Sequence, residues 1–330
     1  MILAVFFLSR IYFFDKRNED NMLIVWVYLI WNAVCIVRGM FAAEHYWDLK
    51  GLILNAMTLM LPIVMFSATN KMIVQSLISF YIKYTLPFFV LFVIVSSSTA
   101  SGFYLMPISL LTLFLPAFTK RQKIFILAII VLVVITDFGT RSNVLKFSIP
   151  LLFMLIYYLR NIISIKLFET ARLTLFIIPL LFFILGVTGT FNIFSIDEYL
   201  EGEYTFSNTD SMGRTIEESV AADTRTFIYV EVLESAINNN YWLFGRTPAR
   251  GNDSYTFGLE ASELTGRNER LANEIGLSNV FTWTGLVGVI LYSMIFLRAS
   301  YLAVNKSRNI FIKIMGLFVA FRWLYSWVED

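Results

Sequence analysis

The sequence predicts an all-α integral membrane protein of about ten transmembrane helices, with one large outer loop before the last two. Three observations carry that expectation. Hydrophobic residues fill 58% of the 330 positions, charged residues only 15%, and mean hydropathy is +0.69, so there is too little polar surface to cover a water-soluble globule. Apolar stretches of about 15 to 25 residues, the length at which a helix crosses a bilayer core, recur from end to end. Runs such as "IFILAIIVLVVI" are apolar on every side rather than alternating, which selects helices over a barrel. The 32 Phe, 16 Tyr and 7 Trp suit lipid-facing helices and interfacial belts.

The spans fall near 1–14, 22–38, 47–68, 76–97, 103–118, 123–139, 143–159, 172–194, 277–298 and 310–328. The first is short and contains Arg10; with no basic start and no small-residue cleavage site it reads as a span or the remnant of one, not as a signal peptide. Residues 1–194 are thus a bundle of about eight spans, 195–276 the outer loop and 277–330 the last two spans. Orientation follows from the basic residues held in alternate short connections: Lys16 and Arg17, Lys71, Lys120 with Arg121 and Lys123, Arg160 with Lys166, and Lys306 with Arg308. Such loops stay cytoplasmic. Arg141 and the long loop therefore lie outside. A net charge of +2 gives no case for a nucleic-acid partner, and the single cysteine, Cys35, permits no intramolecular disulfide.

The long loop carries Arg214, Arg225, Arg246, Arg250, Arg267 and Arg270 but no lysine. Planar guanidinium forks in such number suit diphosphate or carboxylate oxygens, although outer loops poor in lysine are also common. Within it, "AADTRTFIYVEVLESAINNN" places Phe227, Val230, Leu233 and Ile237 on one stripe behind an Asp223 or Thr224 cap, an amphipathic helix for the membrane surface or the bundle. "FGRTPARGND" is a turn set by Gly245, Pro248 and Gly251 that brings two arginines together. "GRNERLANE" spaces Arg267, Arg270 and Glu274 by three and four residues, one face of a further helix on which Arg270 and Glu274 can pair.

Along the chain come a "GTRSN" arginine at the outer end of a middle span, a long loop before the last two spans, an arginine opening an amphipathic helix, an "LFGR" turn, and "NEIGLSNVFTWTGLVG" entering the next span. The order of these features resembles the O-antigen and capsule polymerase family, the Wzy-like proteins, and the related O-antigen ligases. The likeness covers roughly residues 120–328 and rests on motif order more than on any one short motif. Ligases of this kind carry a histidine before the "Gly-x-x-Gly", where this chain has "ANE" ahead of Gly285 and Gly288; its only histidine, His45, is elsewhere. That departure favours the polymerase. The N-terminal spans have no counterpart in the pattern, and the ending at Asp330 is short for it.

The resemblance implies transfer of a growing glycan from its undecaprenyl-diphosphate carrier to the next lipid-linked repeat unit on the outer face of the bacterial cytoplasmic membrane. Partners would be that lipid-linked oligosaccharide, the bilayer and a chain-length regulator. The leaving diphosphate needs cationic stabilisation and the acceptor hydroxyl needs a base. With no Asp-x-Asp pair and no metal-ligand spacing in the outer segments, the site is expected to need no metal and no cofactor. Arg141 and Arg225 are the expected catalytic cations and Glu274 the favoured base, with Glu269 and Asp137 as other carboxylates within reach. Arg246, Arg250, Arg267, Arg270 and Asn273 from the loop, and Arg38, Lys146 and Arg322 from the outer halves of spans, are the expected substrate contacts. A charge at such depth faces the bundle interior or a wet cavity, or snorkels to headgroups. A ligase and a membrane transporter or flippase are the rival functions.

Overall fold

The protein is described here from a computed structural model covering residues 22–89, 98–136, 141–190, 205–209, 215–219, 226–255, 262 and 265–329. Helix dominates. In chain order the helices are α1 (Leu23–Ala42), α2 (Tyr46–Leu59), α3 (Val64–Ala68), α4 (Lys71–Phe80), α5 (Ser98–Thr112), α6 (Lys120–Thr136), α7 (Arg141–Tyr158), α8 (Ile165–Val187), α9 (Thr226–Asn238), α10 (Gly276–Tyr301) and α11 (Ile310–Tyr325). Two small antiparallel ladders pair β1 (Thr205–Thr209) with β2 (Thr215–Ser219) and β3 (Asn252–Asp253) with β4 (Glu269–Arg270).

Five helical stretches are long and apolar enough to cross a membrane: Leu23–Ala42, Tyr46–Ala68, Lys71–Phe89, Ile165–Val187 and Gly276–Lys306. The chain is a helical multi-pass membrane protein. Helices α5, α6, α7 and α11 match four more of the expected spans but are only 15, 17, 18 and 16 residues long, and the expected first span lies outside the described residues.

The helix ends differ from the expected spans for local reasons. Pro62 interrupts the second long stretch with a 3₁₀ turn at Leu61–Ile63; the buried amide of Asn32 donates to the Leu59 carbonyl at 2.8 Å, satisfying the acceptor freed there. Ile165, not 172, begins α8, because the Ser164 hydroxyl accepts from the Leu167 N–H at 3.3 Å and the charges of Glu169 and Arg172 are paired inside the helix. Asn70 and Asn309 cap α4 and α11 in the same way.

The described residues divide into two compact units. The first holds the described residues up to Ile82 together with those of Phe227–Phe296 and Glu329, the second the described residues of Lys83–Thr226 with Leu297–Val328. In the first, Val25, Tyr28, Leu29, Phe66 and Ile295 form a core bordered by Leu291 and Tyr292. In the second, Phe168, Val304 and Leu317 form one, and rings join its helices, with Phe153 edge-on to Phe321 at 6.1 Å and Phe176 against Trp323 at 5.0 Å.

Candidate functional site

The described residues of 227–275 pack on α1 and α2 within the first unit, and the sequence there explains how. The "LFGR" turn needs Gly245 at φ 71°, and α10 is broken at Gly285, with φ 70° and ψ −170°, a region open in practice only to glycine. The two glycines meet back to back. A Cβ on Gly245 would lie 2.4 Å from the Thr284 nitrogen, and one on Gly285 would lie 2.3 Å from the Leu243 oxygen. The turn then repairs the helix it breaks: Leu286 N–H donates to the Trp242 carbonyl at 3.0 Å, Val287 N–H to Leu243 at 3.3 Å, and Arg246 N–H to the Thr282 carbonyl at 2.8 Å. From α1, the Trp31 indole N–H donates to the Thr284 carbonyl at 3.0 Å, and Arg38 donates to the Phe244 and Gly245 carbonyls at 2.8 and 3.1 Å. The "LFGR" and "Gly-x-x-Gly" motifs, about 40 residues apart in the chain, are one interlocked unit.

Below this turn lies an ion-pair network centred on Glu269, whose side chain is 5% exposed. Arg250 grips Glu269 with both ends of its guanidinium, the Nε contact being 2.8 Å. Arg246 reaches Glu269 at 3.0 Å and Asp253 at 2.8 Å, and Arg267 approaches Glu269 at 3.5 Å while binding the fully buried Asp48 at 2.5 Å and Glu44 at 3.0 Å. Burial would raise the Asp253 carboxyl, but Arg246 and Asn239 hold it below its usual range. The bonds from Glu269 push Arg250 up further, and burial takes the Tyr241 hydroxyl to about 12.

Long-range pairing, not a helix, positions these groups. Asn252 pairs with Arg270 and Asp253 with Glu269 across the β3–β4 ladder. Buried Asn273 and Asn279 then cross-bond, Asn273 N–H to the Asn279 side chain at 2.6 Å and Asn279 back to the Asn273 carbonyl at 2.8 Å, while Asn273 also donates to Asn252 at 2.9 Å. The expected "GRNERLANE" helix is thus replaced by a strand and an asparagine-locked turn. Arg270 still meets Glu274, at 3.5 Å. The expected stripe on α9 is corrected too: Ile228, Val232, Ser235 and Ala236 are the buried face, while Ile237 of the predicted stripe is exposed.

Of the expected contacts, the structure brings Arg246, Arg250 and Arg267 together around Glu269, places Arg38 on the adjoining turn, and buries Asn273 beside them. Glu274 is exposed, with its side chain 58% accessible. Arg225, Arg214 and Asp137 lie outside the described residues, as does the side chain of Arg141, whose backbone opens α7. The acidic partners Glu44, Asp48 and Asp253 were not expected; an arginine-rich loop facing "AEHYWDLK" is the sequence signal that could have found them.

The second unit holds a different arrangement. Lys146 on α7 is buried with its ammonium 5.4 Å from the centre of the Tyr325 ring, and the Arg322 guanidinium on α11 stands 5.1 Å from the centre of the same ring. No carboxylate among the described residues pairs with Arg322. Elsewhere in the unit Arg172 is neutralised by Glu169, at 2.8 and 2.5 Å, and bonded to Ser300, while Asn305 donates to the same carboxylate at 2.7 Å. No protein-family model matches the chain, and no curated protein or solved structure does.

Proposed function

We propose that this protein polymerises undecaprenyl-diphosphate-linked oligosaccharide repeat units on the outer face of the bacterial cytoplasmic membrane, through about ten spans with residues 195–276 facing the periplasm or exterior. In the reaction an acceptor sugar hydroxyl attacks the anomeric carbon of the carrier-linked glycan. The bond from that carbon to the diphosphate oxygen breaks, the carrier leaves with the electron pair as its diphosphate, and a base takes the hydroxyl proton. Motif order points to the family. The structural observation that carries the reading is Arg322, which shares the Tyr325 ring with Lys146 and has no carboxylate partner among the described residues. A cation at that depth in an apolar bundle calls for an anion, and a diphosphate between a guanidinium fork and an ammonium meets the demand.

The loop arginines take a supporting role in this reading. Arg246, Arg250 and Arg267 are bound to carboxylates of their own unit and keep the loop in shape. Arg270, which meets Glu274 at 3.5 Å, is kept in this reading as a substrate contact. Glu274 suits the base because Glu269, Asp48 and Asp253 are each held by closer arginine contacts. Arg141, whose backbone opens the helix that bears Lys146, is assigned in this reading to the carrier's second phosphate.

One observation bears on the transporter alternative. A helix broken in mid-course is a transporter device, its freed ends binding ions or substrate. Here the break at Gly285 is filled by the chain itself, with Thr282 and Thr284 carbonyls and Leu286 and Val287 N–H groups all engaged. The test is direct. Purified protein in proteoliposomes, given a carrier-linked oligosaccharide, should yield a ladder of longer carrier-linked glycans; movement of the substrate across the bilayer with no ladder, or attachment only to lipid A core, would refute the polymerase.

A further inference from the structure

We infer that the Tyr241–Gly245 turn is a membrane element, seated at the boundary between headgroups and acyl chains with Trp242 and Phe244 against lipid. The inference does not rest on the glycan-transfer reading. Its first support is the backbone. All five carbonyls of the turn are taken: Tyr241 by Gly245 N–H, Trp242 by Leu286 N–H, Leu243 by Val287 N–H, and Phe244 and Gly245 by Arg38. A loop tip in water has no need of this, whereas irregular backbone near hydrocarbon is tolerated only when its polar groups are satisfied by protein.

The side chains point the other way. Trp242 and Phe244 are 50% and 52% exposed although the backbone that bears them is pinned. Their neighbours give the exposed surface its occupant. Leu286, which bonds to Trp242, continues into Ile290 and Met294 on one exposed apolar stripe of α10, and Trp31, 6.0 Å from the Phe244 ring, lies among exposed Ile30 and Val34 of α1. Both stripes belong to stretches long enough to span the bilayer, so the surface that Trp242 and Phe244 extend is the one that faces lipid.

Depth follows from a count along the chain. A helix needs about 20 residues to cross the hydrocarbon core; counting that far back from the basic residue Lys306, which ends the Gly276–Lys306 stretch, reaches residue 286. The Gly285 break and the turn docked on it therefore sit at the interface opposite Lys306, the level that Trp prefers. The preceding residues agree. Ser278, Asn279, Thr282 and Thr284 are polar and buried among the loop residues, not dissolved in lipid.

The test uses the full chain, with Cys35→Ala, reconstituted in phosphatidylcholine vesicles. Phe244→Cys and Trp242→Cys carry an environment-sensitive fluorophore, and Tyr255→Cys, 77% exposed in the same loop, is the aqueous control; none of the three alters a backbone bond. The expected result is that positions 244 and 242 lose labelling by a membrane-impermeant maleimide, and that their probes, labelled before reconstitution, are quenched by lipids with a nitroxide near the headgroup, while position 255 shows the reverse. Aqueous access at 244 and 242 equal to that at 255 would overturn the inference. So would protection from water and lipid quencher alike, the sign of a covering protein or second copy, and so would stronger quenching by a nitroxide at the acyl-chain end.

Discussion

The loop of the first unit and the α7–α11 pair of the second both collect cations, and they treat them oppositely. Around Glu269 three guanidiniums share one buried carboxylate, with Asp253, Asp48 and Glu44 completing the balance. Around Tyr325 two cations face an aromatic ring, and Arg322 has no acidic partner among the described residues. The difference teaches that an arginine-rich segment is not by that fact a phosphate site. A guanidinium whose fork is already filled by a carboxylate holds structure, because freeing it for a ligand would leave a buried carboxylate without its partner. A cation that lacks such a partner is the one disposed to take an anion from outside.

The largest expected effect is at the hub. Glu269→Ala should cost about 3–5 kcal/mol in the loop's stability, since it leaves three partly buried guanidiniums without their common counter-charge. Thermal unfolding in detergent and protease nicking within residues 226–275 would show it, and Glu269→Gln, which keeps the shape but not the charge, should fall between. Wild-type stability in Glu269→Ala would erase the contrast between the regions. Next comes the glycine crossing. Gly285→Ala should cost about 1–3 kcal/mol from its backbone angles alone, with more from the clash with Leu243, and should expose the turn to protease while sparing the second unit.

The smallest effect concerns protons. The folded Asp253 carboxyl is held below its usual range, so its contribution is present above the ordinary carboxylate value of about 3.9 and is lost as pH falls through the depressed folded value. Its side chain is 42% exposed, so screening keeps the contribution slight. Melting profiles should therefore show wild type losing a small extra stability under acid that Asp253→Asn never had; identical profiles would show the Arg246 pair to be worth nothing.

The helices were largely legible, because long apolar runs admit little else, and nine of the ten expected spans contain described helix. Their ends were less so. A start at 172 avoids the charge of Glu169, but pairing with Arg172 and Asn305, and of Arg172 with Ser300, lets the helix carry it. The loop arginines were visible as residues and opaque as a site. Their partners lie far off in the chain, with Arg267 meeting Asp48 across 219 positions, and the spacing of "GRNERLANE" suits a helix better than the strand that Asn252 and Asp253 impose. Lys146 and Arg322 could be placed at one depth from threading, but their meeting on Tyr325 depends on packing that no local pattern records.

The most direct measurement compares Arg322→Ala with Arg246→Ala for polymer length in membranes at matched expression, alongside thermal stability. A charge-assisted contact is worth about 1.5–3 kcal/mol, so Arg322→Ala should slow polymer formation roughly 10- to 150-fold with the melting profile unchanged, and Arg322→Lys should recover little because the fork is lost. Arg246→Ala should lower stability, with activity falling only as folded protein falls. Full-length polymer from Arg322→Ala, or a stable, inactive Arg246→Ala, would contradict the division of labour between the two regions.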